Sequence, residues 1–140
     1  MPPRPLPLSL AMMIATIAAG LAVRFAPLGL PPFAVKYGGS TLWAVMIYWL
    51  VSTLVPWWRI PPVALLAAAI ATAVEFFKLC HSPALDAFRL TLPGVVLLGR
   101  IFSLCDILAY WLAITAAALA DRCLRPIEPP LGSGKEGIAP

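Results

Sequence analysis

The sequence predicts an all-α integral membrane bundle of four transmembrane helices, with a short half-helix between the third and the fourth. Apolar residues fill 61% of the 140 positions and charged residues only 11%, against about 25% charged in a typical soluble domain. The chain also divides into long uncharged runs, and a helix needs about 20 such residues to cross a bilayer. We therefore expect one multi-pass domain over residues 1–120, with no room for a separate soluble catalytic domain.

The first uncharged run lies between Arg4 and Arg24 and predicts a span over residues 6–25. A secretory signal peptide is the alternative, because Arg4 could supply its basic start. We favour a retained helix, since this run of 19 residues is longer than the apolar region of about 7–15 residues in a signal peptide.

Prolines and glycines between residues 26 and 40 predict a loop, because proline lacks an amide donor and disrupts helices. The second span is expected over residues 40–58, where Trp57, Trp58 and Arg59 form an anchor at the membrane interface. Pro61 and Pro62 suit the first turn of a third helix over residues 62–80. The second and third spans should therefore form an antiparallel hairpin.

A polar connection over residues 81–89 leads into an apolar stretch over residues 90–99, which is too short to span. Pro93, Gly94 and Gly99 weaken a helix there, so a re-entrant or interfacial half-helix is expected, with a fifth crossing as the alternative. The last span is expected over residues 101–120. Residues 121–140 are rich in proline, glycine and charge, and predict a disordered cytoplasmic tail.

Each side of the predicted membrane receives five basic residues, so their number does not indicate the orientation. The residues around them do differ between the two sides. One set of five lies in short flanks and in the C-terminal tail and is assigned to the cytoplasm, which places both termini there. The other five adjoin acidic residues that can pair with them. The cytoplasmic set is Arg4, Arg59, Arg122, Arg125 and Lys135.

Two acids are the most informative residues of the chain. Glu75 and Asp106 border uncharged runs of 15 and 14 residues, which are too short to cross a bilayer without them. An ionisable group at that depth is costly and marks a site with a partner. At about 1.5 Å per residue, both acids reach nearly the same depth, close to the outer face.

The same geometry predicts one polar cluster beneath the outer surface, which would hold an anionic group. Asp86 and Arg89 are expected at its mouth, because they are three residues apart and lead into the half-helix. The predicted ligand-binding cluster consists of Arg24, Lys36, Glu75, Lys78, Asp86, Arg89, Asp106 and Tyr110.

Other chemistries find little support. His81 is the only histidine and no ligand spacing repeats, so neither a metal site nor any cofactor is predicted. The serines lack a nucleophile elbow, and the scattered basic residues predict no nucleic-acid partner. Cys80 and Cys105 could form a disulfide on the outer side, but free thiols are the favoured interpretation.

A resemblance adds to these patterns. The stretch from Lys36 to Tyr48, Glu75 with Lys78, and Asp106 with Tyr110 resemble domain of unknown function family 2809 over residues 20–115. That family consists of small bacterial inner-membrane proteins without established activity, so the resemblance implies location and architecture. A fainter similarity runs to VanZ-like membrane proteins, through Glu75 and the Asp86 to Arg89 turn.

Two classes of function follow, beside a purely structural role for the charges. The first is a membrane protein that binds an anionic lipid or a small anion, and as a proton-coupled carrier it would need to form a homo-oligomer. The alternative is a membrane enzyme acting on a lipid or lipid-linked substrate, with Glu75 or Asp106 as general acid or base. An open cavity lined by cations would favour binding. An acid without a cation nearby would favour catalysis.

Overall fold

A computed structural model describes residues 4–125, which form six helices and no strand. Four of the helices are long, and two short ones follow the third. In chain order they are α1 (Leu6–Phe25), α2 (Pro32–Leu54), α3 (Ile60–Phe77), α4 (Pro83–Arg89), α5 (Leu92–Leu97) and α6 (Leu104–Leu124).

Helix α2 is the centre of the bundle, because it packs against α1, α3 and α6, while α3 also packs against α6. The core combines Tyr48 and Trp49 with alanines such as Ala44, Ala67 and Ala71, all of them buried. Small residues let helix backbones approach closely, as in membrane bundles. Successive long helices run in opposite directions, so the bundle has an Asp121 end and a Glu75 end.

Three helices, α1, α3 and α6, are long and apolar enough to cross a membrane. Helix α2 is not among them, although its 23 residues make it the longest. Two glycines followed by Ser40 and Thr41, together with two tryptophans and two tyrosines, lower its mean hydropathy. The described residues thus fit a membrane protein with three clear candidate spans rather than four.

The predicted loop over residues 26–40 is too long, because α2 already begins at Pro32. Pro31 is extended and precedes the helix, and Pro32 occupies the first turn, where a missing amide donor does no harm. Gly38 faces α1, where an added Cβ would lie 3.4 Å from Val23. Close packing against α1 therefore supports helical structure across a glycine pair that favours a turn in isolation.

The connection between α3 and α6 is more helical than expected, since residues 83–89 form α4. Ser82 and Thr91 cap α4 and α5 with their hydroxyls. A Cβ on Gly94 would lie 1.9 Å from the carbonyl oxygen of Phe88, so only glycine lets α5 pack onto α4. Gly99 follows with a φ of 66°, a left-handed conformation that glycine adopts without strain.

Helix α6 continues to Leu124, so residues 121–124 belong to the bundle and not to a tail. Asp121 is buried there by contacts with α1 and α2. The remaining part of the predicted disordered tail, residues 126–140, lies outside the described residues.

Candidate functional site

A cavity of about 630 Å³ opens at the Glu75 end of the bundle. The C-terminal end of α1, the first half of α2, α5 and the start of α6 surround it. Its polar lining residues are Arg24, Lys36, Ser40, Lys78, Arg100, Asp106 and Tyr110. The apolar wall comes mainly from Trp43 of α2 and from residues 95–98 of α5.

Positive charge dominates this cavity. Its lining contains one acid, Asp106, and four cations, which are Arg24, Lys36, Lys78 and Arg100. When Glu75, the ion-pair partner of Lys78, is also counted, the positive charges exceed the negative charges by two. Within residues 4–125, neither Arg24 nor Arg100 has an ion-pair partner, and both are exposed. Lys36 is also exposed, and its amine lies 5.1 Å from the centre of the Tyr37 ring.

Glu75 is fully buried and accepts three hydrogen bonds. Lys78, one turn later on α3, donates to Oε2 in a close ion pair. The Tyr110 hydroxyl donates to the same oxygen at 3.0 Å, and the backbone amide of Ser103 donates to Oε1 at 2.7 Å. Glu75 therefore joins α3 to the start of α6, and its oxygens are already occupied.

Asp106 lies in the first turn of α6 and is only 3% exposed, yet its Oδ1 has no hydrogen-bond partner. Lys36 and Lys78 are close enough to attract this carboxylate, and Glu75 is close enough to repel it. Trp43 and Tyr110 line the same cavity, with ring centres 5.5 Å apart and ring planes tilted by 47°. Asp106 is thus a buried acceptor at the cavity wall with capacity for a ligand donor.

The structure separates Asp86 and Arg89 from the other six members of the predicted cluster. Five of those six line the cavity, and the sixth, Glu75, is bonded to two of the five, whereas Asp86 and Arg89 neither line the cavity nor bond to a cluster member that does. Arg89 is buried and donates to the carbonyl oxygens of Phe77 and Cys80, at 2.7 and 2.8 Å. Asp86 is half-exposed, 3.3 Å from both Arg89 and His81. The guanidinium therefore caps the C-terminal end of α3, because the free carbonyl groups there attract a cation. For this reason Arg89 does not lie at the mouth of the cavity.

A second buried cluster, at the Asp121 end, was not predicted. Asp121 accepts hydrogen bonds from Arg4 at 2.8 Å and Tyr48 at 2.7 Å, and Arg125 lies 3.4 Å away. Arg4 and Asp121 are 117 positions apart, so no local spacing links them. The available signal was the placement of Asp121 at the end of an apolar run opposite a basic flank. Arg100 also lines the cavity. It was not predicted as a member of the cluster, because it lies after the half-helix in the sequence.

Two alternatives that the sequence did not favour were a disulfide and a metal site. Cys80, Cys105 and Cys123 are free and exposed, so the alternative of a Cys80–Cys105 disulfide is not realised. In the part of the chain from residue 4 to residue 125, no three histidine, cysteine or acidic side chains are grouped as metal ligands.

Comparison with known proteins assigns the family but no activity. Neither a curated protein nor a solved structure matches the chain, and the similarity to VanZ-like proteins finds no support. The family described as "Protein of unknown function (DUF2809)" matches residues 29–114. This region covers all of α2, α3, α4 and α5 and the first half of α6, and so contains most of the cavity. The chain therefore belongs to domain of unknown function family 2809.

Proposed function

We propose that this protein is a multi-pass membrane protein that binds an anionic group, such as a phosphate or carboxylate, in the cavity at the Glu75 end. The observation that carries the proposal is a set of cations without an ion pair: Arg24, Lys36 and Arg100 line one cavity, and none of them forms an ion pair among residues 4–125. Asp106 attracts Lys36 only from a longer distance.

Charges placed only to fix helix packing would be paired, as Glu75 is with Lys78. Three cations around a cavity repel one another, and a bound anion would relieve that repulsion. Guanidinium groups suit phosphate and carboxylate oxygens because they offer planar, paired donors. The geometry thus favours an anion over a neutral or cationic ligand.

Inorganic phosphate provides the first test, with the purified protein in a neutral maltoside detergent. Trp43 lines the cavity, so its fluorescence reports binding, and Trp43→Phe identifies its signal. The double variant Lys36→Gln with Arg100→Gln should weaken phosphate binding about tenfold or more. The control, Arg59→Gln with Arg122→Gln, removes the same charge from exposed positions outside the cavity and should leave the affinity unchanged. Equal weakening by both pairs, or no saturable binding, would reject the proposal.

We also propose four crossings of a bacterial inner membrane, with both termini in the cytoplasm. Helix α2 is about 35 Å long at 1.5 Å per residue, which exceeds a hydrocarbon core of about 30 Å. It lies antiparallel to α1 and α3 and parallel to α6, and all three of these helices are apolar enough to span. Helix α5 has only six residues, or about 9 Å, which is too short for a fifth crossing.

Cysteine labelling tests this topology in a variant that lacks the three native cysteines. Leu30→Cys lies between α1 and α2, and Trp57→Cys lies between α2 and α3, both at exposed positions. An impermeant maleimide should label Leu30→Cys from outside intact cells and Trp57→Cys only after lysis. Labelling of both positions from the same side would exclude a crossing by α2.

A membrane enzyme acting on a lipid is the second candidate, and the free Oδ1 of Asp106 is the observation that favours it over Glu75. Such an acceptor could take a proton from a bound substrate. Incubation of the protein with phosphatidic acid vesicles, followed by phosphorus NMR, tests for turnover. A new phosphorus resonance that Asp106→Asn abolishes would establish an enzyme. An unchanged spectrum would leave phosphatidic acid as a ligand at most.

A further inference from the structure

A second, apolar cavity of about 80 Å³ adjoins the cationic one, between α1 and α2. The two cavities share Arg24, Gly39, Trp43 and Val96 in their walls. Away from these shared residues, the second cavity is almost entirely apolar. Its other lining residues, here called the α1–α2 groove, are Thr16, Ile17, Gly20, Leu21, Leu42 and Met46.

The groove opens toward the surroundings of the bundle, because Ile17 and Leu21 are 39% and 44% exposed. The one polar lining group, the Thr16 hydroxyl, donates within α1 to the carbonyl oxygens of Met12 and Met13. The cavity rich in cations therefore adjoins a groove whose own lining residues have no free polar side-chain group. A small inorganic anion would use only the first of these two parts.

We propose that the ligand is an anionic lipid, whose headgroup occupies the cationic cavity and whose acyl chain lies in the α1–α2 groove. This inference rests on the proposed anion binding and identifies the source of the anion. Both the charge of the cavity and its position next to the apolar groove match one amphipathic molecule. Arg24, which lines both parts, would contact the lipid where its headgroup meets its chain.

The chain contributes position rather than much affinity, because lipid tails are as apolar as the groove, so burying one gives little hydrophobic gain. Its role is to let a lipid enter from the bilayer without leaving the hydrocarbon phase. Selectivity then comes from the headgroup, where the cations compete with water for the phosphate oxygens.

The test uses phosphatidic acid with a photoactivatable diazirine in its acyl chain, mixed into phosphatidylcholine vesicles that contain the full-length protein. After irradiation, mass spectrometry locates the labelled residues. We expect labelling of the groove residues of α1 and α2 to exceed labelling of Ala15 and Ala22, two exposed α1 residues outside the groove, by about fivefold.

Two matched variants of α1 test the groove itself. Ile17→Trp fills it, whereas Ile14→Trp makes the same change one turn away at an exposed position outside it. Ile17→Trp should reduce groove labelling about fivefold, Ile14→Trp should not, and both should keep the phosphate affinity of the unmodified protein. Lys36→Gln with Arg100→Gln should also reduce groove labelling, because the headgroup loses its partners.

The outcomes separate this inference from the proposed function. Even labelling around α1, with no effect of Ile17→Trp and intact phosphate binding, would show that the cavity takes a free anion and would overturn the inference alone. Groove labelling that persists in Lys36→Gln with Arg100→Gln would also overturn it, because the chain would then be ordinary bilayer lipid. Loss of both phosphate binding and groove labelling in the unmodified protein would reject both proposals.

Discussion

At the scale of single residues, the two carboxylates of the Glu75 end have different environments. Glu75 is surrounded by donors, from Lys78, Tyr110 and the Ser103 amide, which satisfy a buried charge. Asp106 keeps an unpartnered oxygen beside the cavity. Buried polar atoms normally find a partner, so this oxygen is available to a hydrogen-bond donor in the cavity, although its charge opposes the binding of an anion there.

Glu75→Ala should destabilise the protein by about 3–5 kcal/mol, because it leaves Lys78 buried without its partner. Thermal unfolding in detergent measures the loss. Asp86→Ala is the control, since it removes a half-exposed carboxylate and should cost less than about 1 kcal/mol. A Glu75→Ala protein as stable as the unmodified one would show that water, rather than the side chains, satisfies Lys78.

Asp106→Asn should leave stability almost unchanged and should strengthen inorganic phosphate binding about five- to tenfold. The reason is Coulombic, since removal of one negative charge near the cavity cations is equivalent to about 1 kcal/mol of attraction for an anion. The Trp43 titration measures the effect. Weaker phosphate binding in Asp106→Asn would contradict this view and show that the carboxylate orients the cations that hold the anion.

At the scale of helices, short connections position the cavity. Helix α5 forms one wall through residues 95–98, and it is held by the close approach of Gly94 to Phe88 and by the cap from Thr91. Arg89 of α4 supports this arrangement, because its guanidinium donates hydrogen bonds to the carbonyl oxygens of Phe77 and Cys80 at the end of α3. The contact between Arg89 and the end of α3 thus positions α4, and α4 in turn positions α5 in the cavity wall.

Arg89→Lys should lower stability by about 1–3 kcal/mol, because an ammonium cannot reach both the Phe77 and the Cys80 carbonyls as the guanidinium does. Phosphate affinity should not change. Arg100→Lys, at an exposed position of the cavity, is the control and should leave stability unaffected. A loss of phosphate binding without a loss of stability in Arg89→Lys would restore the sequence-based prediction of an anion site at Asp86 and Arg89.

At the scale of the whole molecule, two polar clusters lie at opposite ends of the bundle. The cluster of Arg4, Tyr48 and Asp121 connects α1, α2 and α6 at one end, where every member is buried. The cavity occupies the other end, where Arg24, Lys36 and Arg100 stay exposed. At the Asp121 end the charged side chains are therefore buried in hydrogen-bonded pairs. At the Glu75 end, three exposed cations remain accessible to a ligand.

Asp121→Asn should destabilise the bundle by about 3 kcal/mol, because the buried Arg4 would lose its countercharge. The loss should be greatest in α1, because within residues 4–125 this helix packs on α2 and on no other helix. Hydrogen exchange measures this as faster exchange of α1 amides than of α3 amides. Arg122→Gln, an exposed neighbour, should change neither, and uniform acceleration in all helices would contradict a local role for Asp121.

Composition and the spacing of charges were sufficient to predict an all-helical membrane protein, the α2–α3 hairpin and two acids drawn into apolar segments. These features follow from local rules, because a bilayer demands about 20 apolar residues per crossing and prolines end helices. Local rules failed at the start of α2, where packing against α1 outweighs the turn preference of Gly38.

The spacing of charges along the chain was sufficient to show that ionisable residues lie within apolar segments, but contacts between helices decide which of these residues are satisfied. The sequence predicts that Arg89 and Arg100 are both cations near the outer face. In the structure, Arg89 caps α3 and Arg100 lines the cavity. Helix periodicity specifies the face a residue occupies but not the neighbour it meets. The pairing of Arg4 with Asp121 and the adjoining apolar groove depend on contacts between distant segments, which only the packed bundle defines.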